Sequence, residues 1–307
     1  MNSIRNLNIP IDKIEYYSNY SIFYSKNNKY LIKEKNKIEY ENTKYLDKIE
    51  CNNYLPIYKQ IEEYNIYLYP NDLISNRKKL EHLVITLTEI HKNSLEVYDY
   101  LKEELDSFYN TKVKELDEVM NYYLRLQDHI EEMEYIREDY YELLINMSKI
   151  YRVLSISRKY LEEWYYSDKK HNEVFLIREV LLDNYIYNDK GYFIDLKSCI
   201  RGNIIDDFVT LYRNYYNYNF SYLFELYIDK MNLKMYDFKL FFSEISKIEK
   251  LELTNDSSIN MKMIREFMSY IEKTVEFVLE EDKKYQETDK EIFEKENKDI
   301  EFGSYEK

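Results

Sequence analysis

Apolar positions along the chain follow two periods. Up to Pro70 they come in short runs. Residues 21–25 and 30–33 are rich in Ile, Tyr and Phe and flank Lys26-Asn27-Asn28-Lys29. Asparagine tolerates the positive φ of a tight hairpin, so two paired strands are expected there. Ile38, Tyr45, Leu46 and Ile49 then fall on one helical face, and residues 56–61 and 64–69 suggest two further strands around Glu62-Glu63. From residue 71 to residue 190 there is neither Gly nor Pro, and the spacing changes to that of helices almost throughout. Leu80, Leu83, Val84, Leu87 and Ile90 mark the first. Residues 95–110, 112–132 and 135–166 continue the pattern, with Leu101, Leu105, Leu116, Met120, Leu143, Met147 and Leu154 as apolar positions. The heptads are irregular, which favours packed antiparallel helices over a coiled coil.

A hairpin interrupts the helices: residues 184–187, the turn Asn188-Asp189-Lys190-Gly191, then residues 192–195. Gly191 stands where a turn most often needs positive φ. Helices resume beyond Asp206, with Phe208, Leu211, Tyr212, Tyr215 and Tyr216 in one, and residues 238–248 and 261–279 in others. The expected organisation is a strand-containing lobe over 1–70, a helical lobe over 71–279 carrying the hairpin at 184–195, and a charged tail, frayed or disordered, over 280–307. That is an α+β layout of protein-kinase-like bilobal type.

Charge and composition narrow the partners. The formal charge is −14, which argues against nucleic acid and anionic membrane. No apolar run approaches a bilayer span, and the first residues show no signal-peptide pattern. Two cysteines, Cys51 and Cys199, are too few for a disulfide scaffold or a cysteine zinc site. A cytoplasmic location with reduced thiols is the expectation. The chain has 37 Tyr and 14 Phe but only 3 Gly, 3 Pro and no Ala. AT-rich codon usage accounts for that bias. Tyrosine must then supply core bulk, and each buried hydroxyl needs a hydrogen-bond partner. His82, His91, His129 and His171 lack metal-ligand spacing and are expected as surface or packing residues, with Trp164 as a core anchor.

Three features could serve phosphoryl transfer, which needs a cation on the phosphates, oxygen ligands for a metal and a carboxylate near the incoming hydroxyl. Tyr30-Leu31-Ile32-Lys33 is an alternating strand ending in lysine; its bland reading is a solvated strand end. Glu39 or Glu41 would pair with that lysine, and the sequence leaves the choice open. Asn184 and Asp195 would face each other across the hairpin if its four turn residues form the loop. They could share one magnesium ion; the bland reading is an ordinary polar pair. Glu179 lies five residues before Asn184, a spacing that suits a catalytic carboxylate.

With these pieces in order, the chain resembles the aminoglycoside-phosphotransferase-like kinases, and within them the bacterial spore-coat kinase-like family of CotS type. Leu87-Thr88-Glu89-Ile90-His91 resembles an "L-x-x-x-H" helix end. Residues 179–184 resemble a worn "H-x-D-x-x-x-x-N" loop, and Phe193-Ile194-Asp195-Leu196 the "I-D-F" metal-binding step. Cys199 falls four residues after that Asp. Asp207 falls twelve after it, like the family aspartate that braces the catalytic loop. The departures are Glu179 for the catalytic Asp, Ile177 for the loop His, Lys197 for a second acid, and no glycine-rich phosphate loop. Strand alternation would turn Lys197 to the side of Asp195.

The resemblance implies Lys33 and Glu39 at an ATP site, Asn184 and Asp195 on Mg, Glu179 at the catalytic position and Asp207 as a structural brace. With so worn a loop it implies first a pseudokinase with a binding or structural role, protein partners and a place in the spore coat. The alternative is a working ATP- and Mg-dependent phosphotransferase with a small-molecule acceptor. A third reading is a helical coiled-coil scaffold.

Overall fold

The computed structural model describes residues 12–17, 20–25, 28–61, 63–70, 74–167 and 169–303, with side chains to residue 286. Its elements are, in chain order, β1 (Lys13–Tyr16), β2 (Ser21–Ser25), β3 (Asn28–Glu34), α1 (Lys37–Lys48), β4 (Ile57–Ile61), β5 (Tyr64–Tyr69), α2 (Asn76–Ser94), β6 (Glu96–Asp99), α3 (Lys102–Glu131), α4 (Glu138–Ile145), α5 (Met147–Tyr165), β7 (Lys170–Leu176), a 3-10 turn (Leu182–Asn184), β8 (Tyr185–Tyr187), β9 (Gly191–Phe193), β10 (Ile200–Asn203), α6 (Asp206–Tyr215), α7 (Phe220–Met231), α8 (Met235–Ser246) and α9 (Ser257–Gly303). The chain divides into two compact units. One comprises 1–97, 172–214 and 223–232; the other comprises 98–171, 215–222 and 233–307.

The first unit holds an antiparallel five-stranded sheet of order β1-β2-β3-β5-β4. The strands expected over 21–25, 30–33, 56–61 and 64–69 are all present, and the coiled-coil scaffold is thereby excluded. Ser25 pairs with Asn28 across the first hairpin; Lys26 and Asn27 of the expected turn, and Glu62 of the next, lie outside the described residues. Strand β3 is central, so Tyr30, Leu31, Ile32 and Lys33 are all buried. Its alternation sends Tyr30 and Ile32 to one face with Phe23 and Ile66. Leu31 goes to the other face, with Leu55 and Tyr67 of the sheet side and Ile186 and Ile194 of the second hairpin. Lys33 lies two residues on from Leu31, on the hairpin side. Helix α2 buries Leu80, Leu83, Val84, Leu87 and Ile90, the expected stripe. In α1 Leu46 is buried, but Ile38 is exposed, because the inward place near the helix start goes to Glu39.

The expectation of helix almost throughout 71–190 needs correction over the described residues 74–167 and 169–190. Residues 102–131 form one helix rather than two, Asn146 separates α4 from α5, and β6 and β7 are strands. Strand β7 pairs antiparallel with β10, Leu176 opposite Ile200. Its burial runs unbroken from Val174 to Leu176, so no polar alternation announced it.

The second unit is built from α3, α4, α5, α8 and α9. Trp164 is buried against Phe108 and Tyr100, as anchor. Tyr123, fully buried, donates its hydroxyl to Glu249 O at 2.7 Å and accepts from Leu251 N at 3.0 Å. Helix α9 runs on to Gly303, and Glu281 and Asp282 are buried. Among the described residues no helix is long and apolar enough to cross a membrane. Both cysteines are free and buried.

Candidate nucleotide site

The site lies within the first unit and starts from a buried lysine. Lys33 is fully buried rather than a solvated strand end. Its ammonium donates to Glu39 Oε1 and to Ile194 O at 2.9 Å, and stands 3.5 Å from Asp195 Oδ1. Between Glu39 and Glu41 the structure chooses Glu39; Glu41 is exposed and faces Lys37 at 3.7 Å. The cause is local. Asn36 caps α1, its Oδ1 accepting from Glu39 N at 3.0 Å, which places Glu39 at the third helical position. A glutamate there often reaches back to the cap. Here it turns to Lys33 instead.

The second hairpin differs by one residue from expectation. Tyr187 pairs with Gly191 and Tyr185 with Phe193, so the loop is three residues and Asn184 lies opposite Ile194 rather than Asp195. Ile194 N donates to Asn184 O at 2.9 Å. Gly191 belongs to the strand and has no positive φ. Glycine is required there by space: a Cβ would lie 1.9 Å from Tyr185 Oη and 2.4 Å from Thr86 Oγ1, which are hydrogen-bonded to each other at 2.8 Å.

Asn184 and Asp195 still meet, through a clasp past the strand end. Asp195 N donates to Asn184 Oδ1 at 2.6 Å, and Asn184 Nδ2 donates to Asp195 O and to Glu179 O, each at 3.0 Å. The side-chain amide is thus spent on backbone. Strand β9 ends at Phe193, so Lys197 comes to Asp195 by a turn: its N–H donates to Asp195 Oδ1 at 3.1 Å and its ammonium stands 3.9 Å from Oδ2.

Glu179 lies on the segment between β7 and the 3-10 turn and accepts Ser198 Oγ–H at 2.7 Å. Its neighbour Arg178 has φ of 64°, a left-handed conformation that costs a non-glycine residue about 1–2 kcal/mol. Asp207 offsets that strain. Fully buried, it accepts the N–H of Ile177 and of Arg178, both at 2.7 Å, and such charge-assisted bonds are among the stronger ones. His91 is no surface residue: fully buried, it lies 3.2 Å from Asp207 Oδ2 through Nε2 and 2.6 Å from Tyr227 Oη through Nδ1. Tyr227 donates to Ile204 O at 2.9 Å. Sequence reasoning missed Tyr227 and Ser198. Tyrosine abundance hid the first; His91 was marked only by its place at a helix end. Burial, then the Asp207 carboxylate, pushes the Cys199 thiol far up, so it is an inert packing group.

A magnesium ion prefers near-octahedral oxygen ligands at about 2.0–2.1 Å. The donors here do not fit one. The Asn184 oxygen accepts a short backbone N–H, and both Asp195 oxygens face ammonium groups. Among the described residues, no group of three or more His, Cys, Asp or Glu is arranged to hold a metal.

No family model matches the sequence, and no curated protein matches it. Solved structures do match. An aminoglycoside phosphotransferase from Alicyclobacillus acidocaldarius subsp. acidocaldarius DSM 446 superposes with a TM-score of 0.64 at 10% identity, over 93% of this chain and 96% of that one. The AMP-bound spectinomycin phosphotransferase APH(9)-Ia superposes with a TM-score of 0.52 at 14% identity, over 88% of this chain and 94% of that one. The chain has the protein-kinase-like α+β fold of the aminoglycoside phosphotransferases.

Proposed function

We propose that this chain is an ATP-dependent small-molecule phosphotransferase. The supporting observation is the meeting of Lys33 from β3, Glu39 from α1 and the clasped pair Asn184 and Asp195 from the second hairpin, on one buried ammonium. In this reading ATP lies between the sheet and that hairpin. A phosphate oxygen competes with Asp195 for the third proton of Lys33. Glu179, freed from Ser198, accepts the proton of the acceptor hydroxyl. The bond between the γ-phosphorus and the ADP oxygen breaks as that between phosphorus and the acceptor oxygen forms. Asp207 acts as the brace that holds Ile177 and Arg178, and through them Glu179. The matched structures, which their names describe as acting on aminoglycosides and spectinomycin, favour a hydroxyl-bearing amine as acceptor.

ATP consumption measured across amino sugars and amino alcohols tests this. Turnover with one of them, reduced about a hundredfold or more in Glu179→Gln, is the expected result. No turnover above a Lys33→Ala, Asp195→Ala double variant would contradict it. A second reading, a kinase fold kept for binding without turnover, draws on the complete burial of Lys33 and the committed amide of Asn184. It predicts nucleotide binding with no consumption of ATP. The spore-coat association finds no support in these neighbours.

A further inference from the structure

Lys197 stands where the kinase-like reading wants a divalent cation. Its ammonium is 3.9 Å from Asp195 Oδ2, while Lys33 is 3.5 Å from Oδ1 of the same carboxylate. One carboxylate is thus flanked by two positive charges. The Lys197 backbone N–H also donates to Oδ1, so the turn that aims the carboxylate is the one that carries the lysine. The amide oxygen of Asn184, the other expected ligand, accepts Asp195 N at 2.6 Å. The Lys33 side chain is fully buried, whereas that of Lys197 is 29% exposed, so Lys197 is the more accessible of the two cations to a ligand from solvent.

We propose that the Lys197 ammonium occupies the place of the divalent cation, so that this site excludes divalent metal and takes an adenine nucleotide in its metal-free form. The nucleotide half rests on the proposed function; the metal half does not. Lys197 acts as a tethered counter-ion. It neutralises Asp195 when no ligand is present, and moves toward phosphate oxygens when a nucleotide enters. A bound dication would have to sit a few ångströms from two ammonium groups, where repulsion opposes it. Lys197 is a single, partly exposed side chain, so exchanging it tests the selectivity while leaving the buried pair of Lys33 and Glu39 in place.

The test uses Mn2+ alone as probe, followed by electron paramagnetic resonance of the free ion, on the full chain, Lys197→Asp and Lys197→Met. The expected result is no stoichiometric Mn2+ binding to the unaltered chain, and one site on Lys197→Asp at least about tenfold tighter than any binding by the unaltered chain. Lys197→Met, which removes the charge at similar length, should lie between the two and guards against a folding defect in the Asp variant. A site on the unaltered chain that Asp195→Asn abolishes would overturn the proposal. So would absence of binding to both variants when circular dichroism shows them folded. Isothermal titration of ATP in EDTA and in Mg2+ supplies the second readout. Affinities within about threefold support the proposal, and a tenfold or greater requirement for Mg2+ overturns it. A chain that binds no ATP in either buffer contradicts the proposed function and the nucleotide half, while the Mn2+ result still judges the metal half.

Discussion

Individual side chains carry the sharpest consequences. Lys33 and Glu39 form a buried ion pair, and removing one partner strands the other. Lys33→Met should therefore lower stability by about 3–5 kcal/mol, and adding Glu39→Gln should restore much of it. Urea denaturation of the two variants measures both. A fully independent pair of effects would contradict the pairing. Gly191→Ala should cost about 1–3 kcal/mol through overpacking, since its new Cβ would run into Tyr185 Oη. In a Tyr185→Phe background the penalty should shrink, because the nearest clashing atom is gone. Lys33 shows the reach of sequence reading at this scale. Its position was visible from an alternating strand, but its burial was not. That depends on β2 and β5 flanking β3 within the sheet and on the second hairpin packing against one of its faces, long-range contacts that no local pattern encodes.

Secondary elements and the loops between them set the chemistry's rigidity. The left-handed kink at Arg178 is braced by the Asp207 carboxylate, which accepts the N–H groups of Ile177 and Arg178. Asp207→Ala should destabilise the chain by about 3 kcal/mol or more, leaving the buried N–H of Ile177, the part-buried N–H of Arg178 and His91 without their acceptor. Proteolysis near residue 178 should speed up in parallel; unchanged protection would contradict the bracing role. In the second unit, Asp139 at the start of α4 is buried, which by itself would raise its pKa. The bonds from Arg137 and Asn260, at 2.6 and 2.7 Å, outweigh that and hold the carboxyl down at about 2. Its unfolded value is about 3.9. A depressed folded value means that the stabilisation is fully present above pH 4 and is lost as pH falls toward 2. Up to about 2 kcal/mol should disappear across that window and be missing from Asp139→Asn, as acid-dependent denaturant melts will reveal. Turn-level detail was the least legible in the sequence. The hairpin was anticipated, but its register shifted by one residue because Gly191 was needed for space against Tyr185, not for a positive φ.

For the whole molecule, the α+β fold followed from the order of short runs, long helices and one late hairpin, and the five-stranded sheet bears that out. Strands β6 and β7 stayed hidden because they lie beside long helices and lack alternation. Lys33 stands 3.5 Å from Asp195, and the clasp that spends the Asn184 amide could come only from coordinates. The central claim is that this meeting point binds an adenine nucleotide. Isothermal titration of ATP into the full chain, beside the Lys33→Met, Glu39→Gln double variant that keeps the core neutral, tests it most directly. One site per chain with micromolar affinity, weakened at least about tenfold in the double variant, is the predicted result. No binding by the unaltered chain, or equal binding by both proteins, would contradict it.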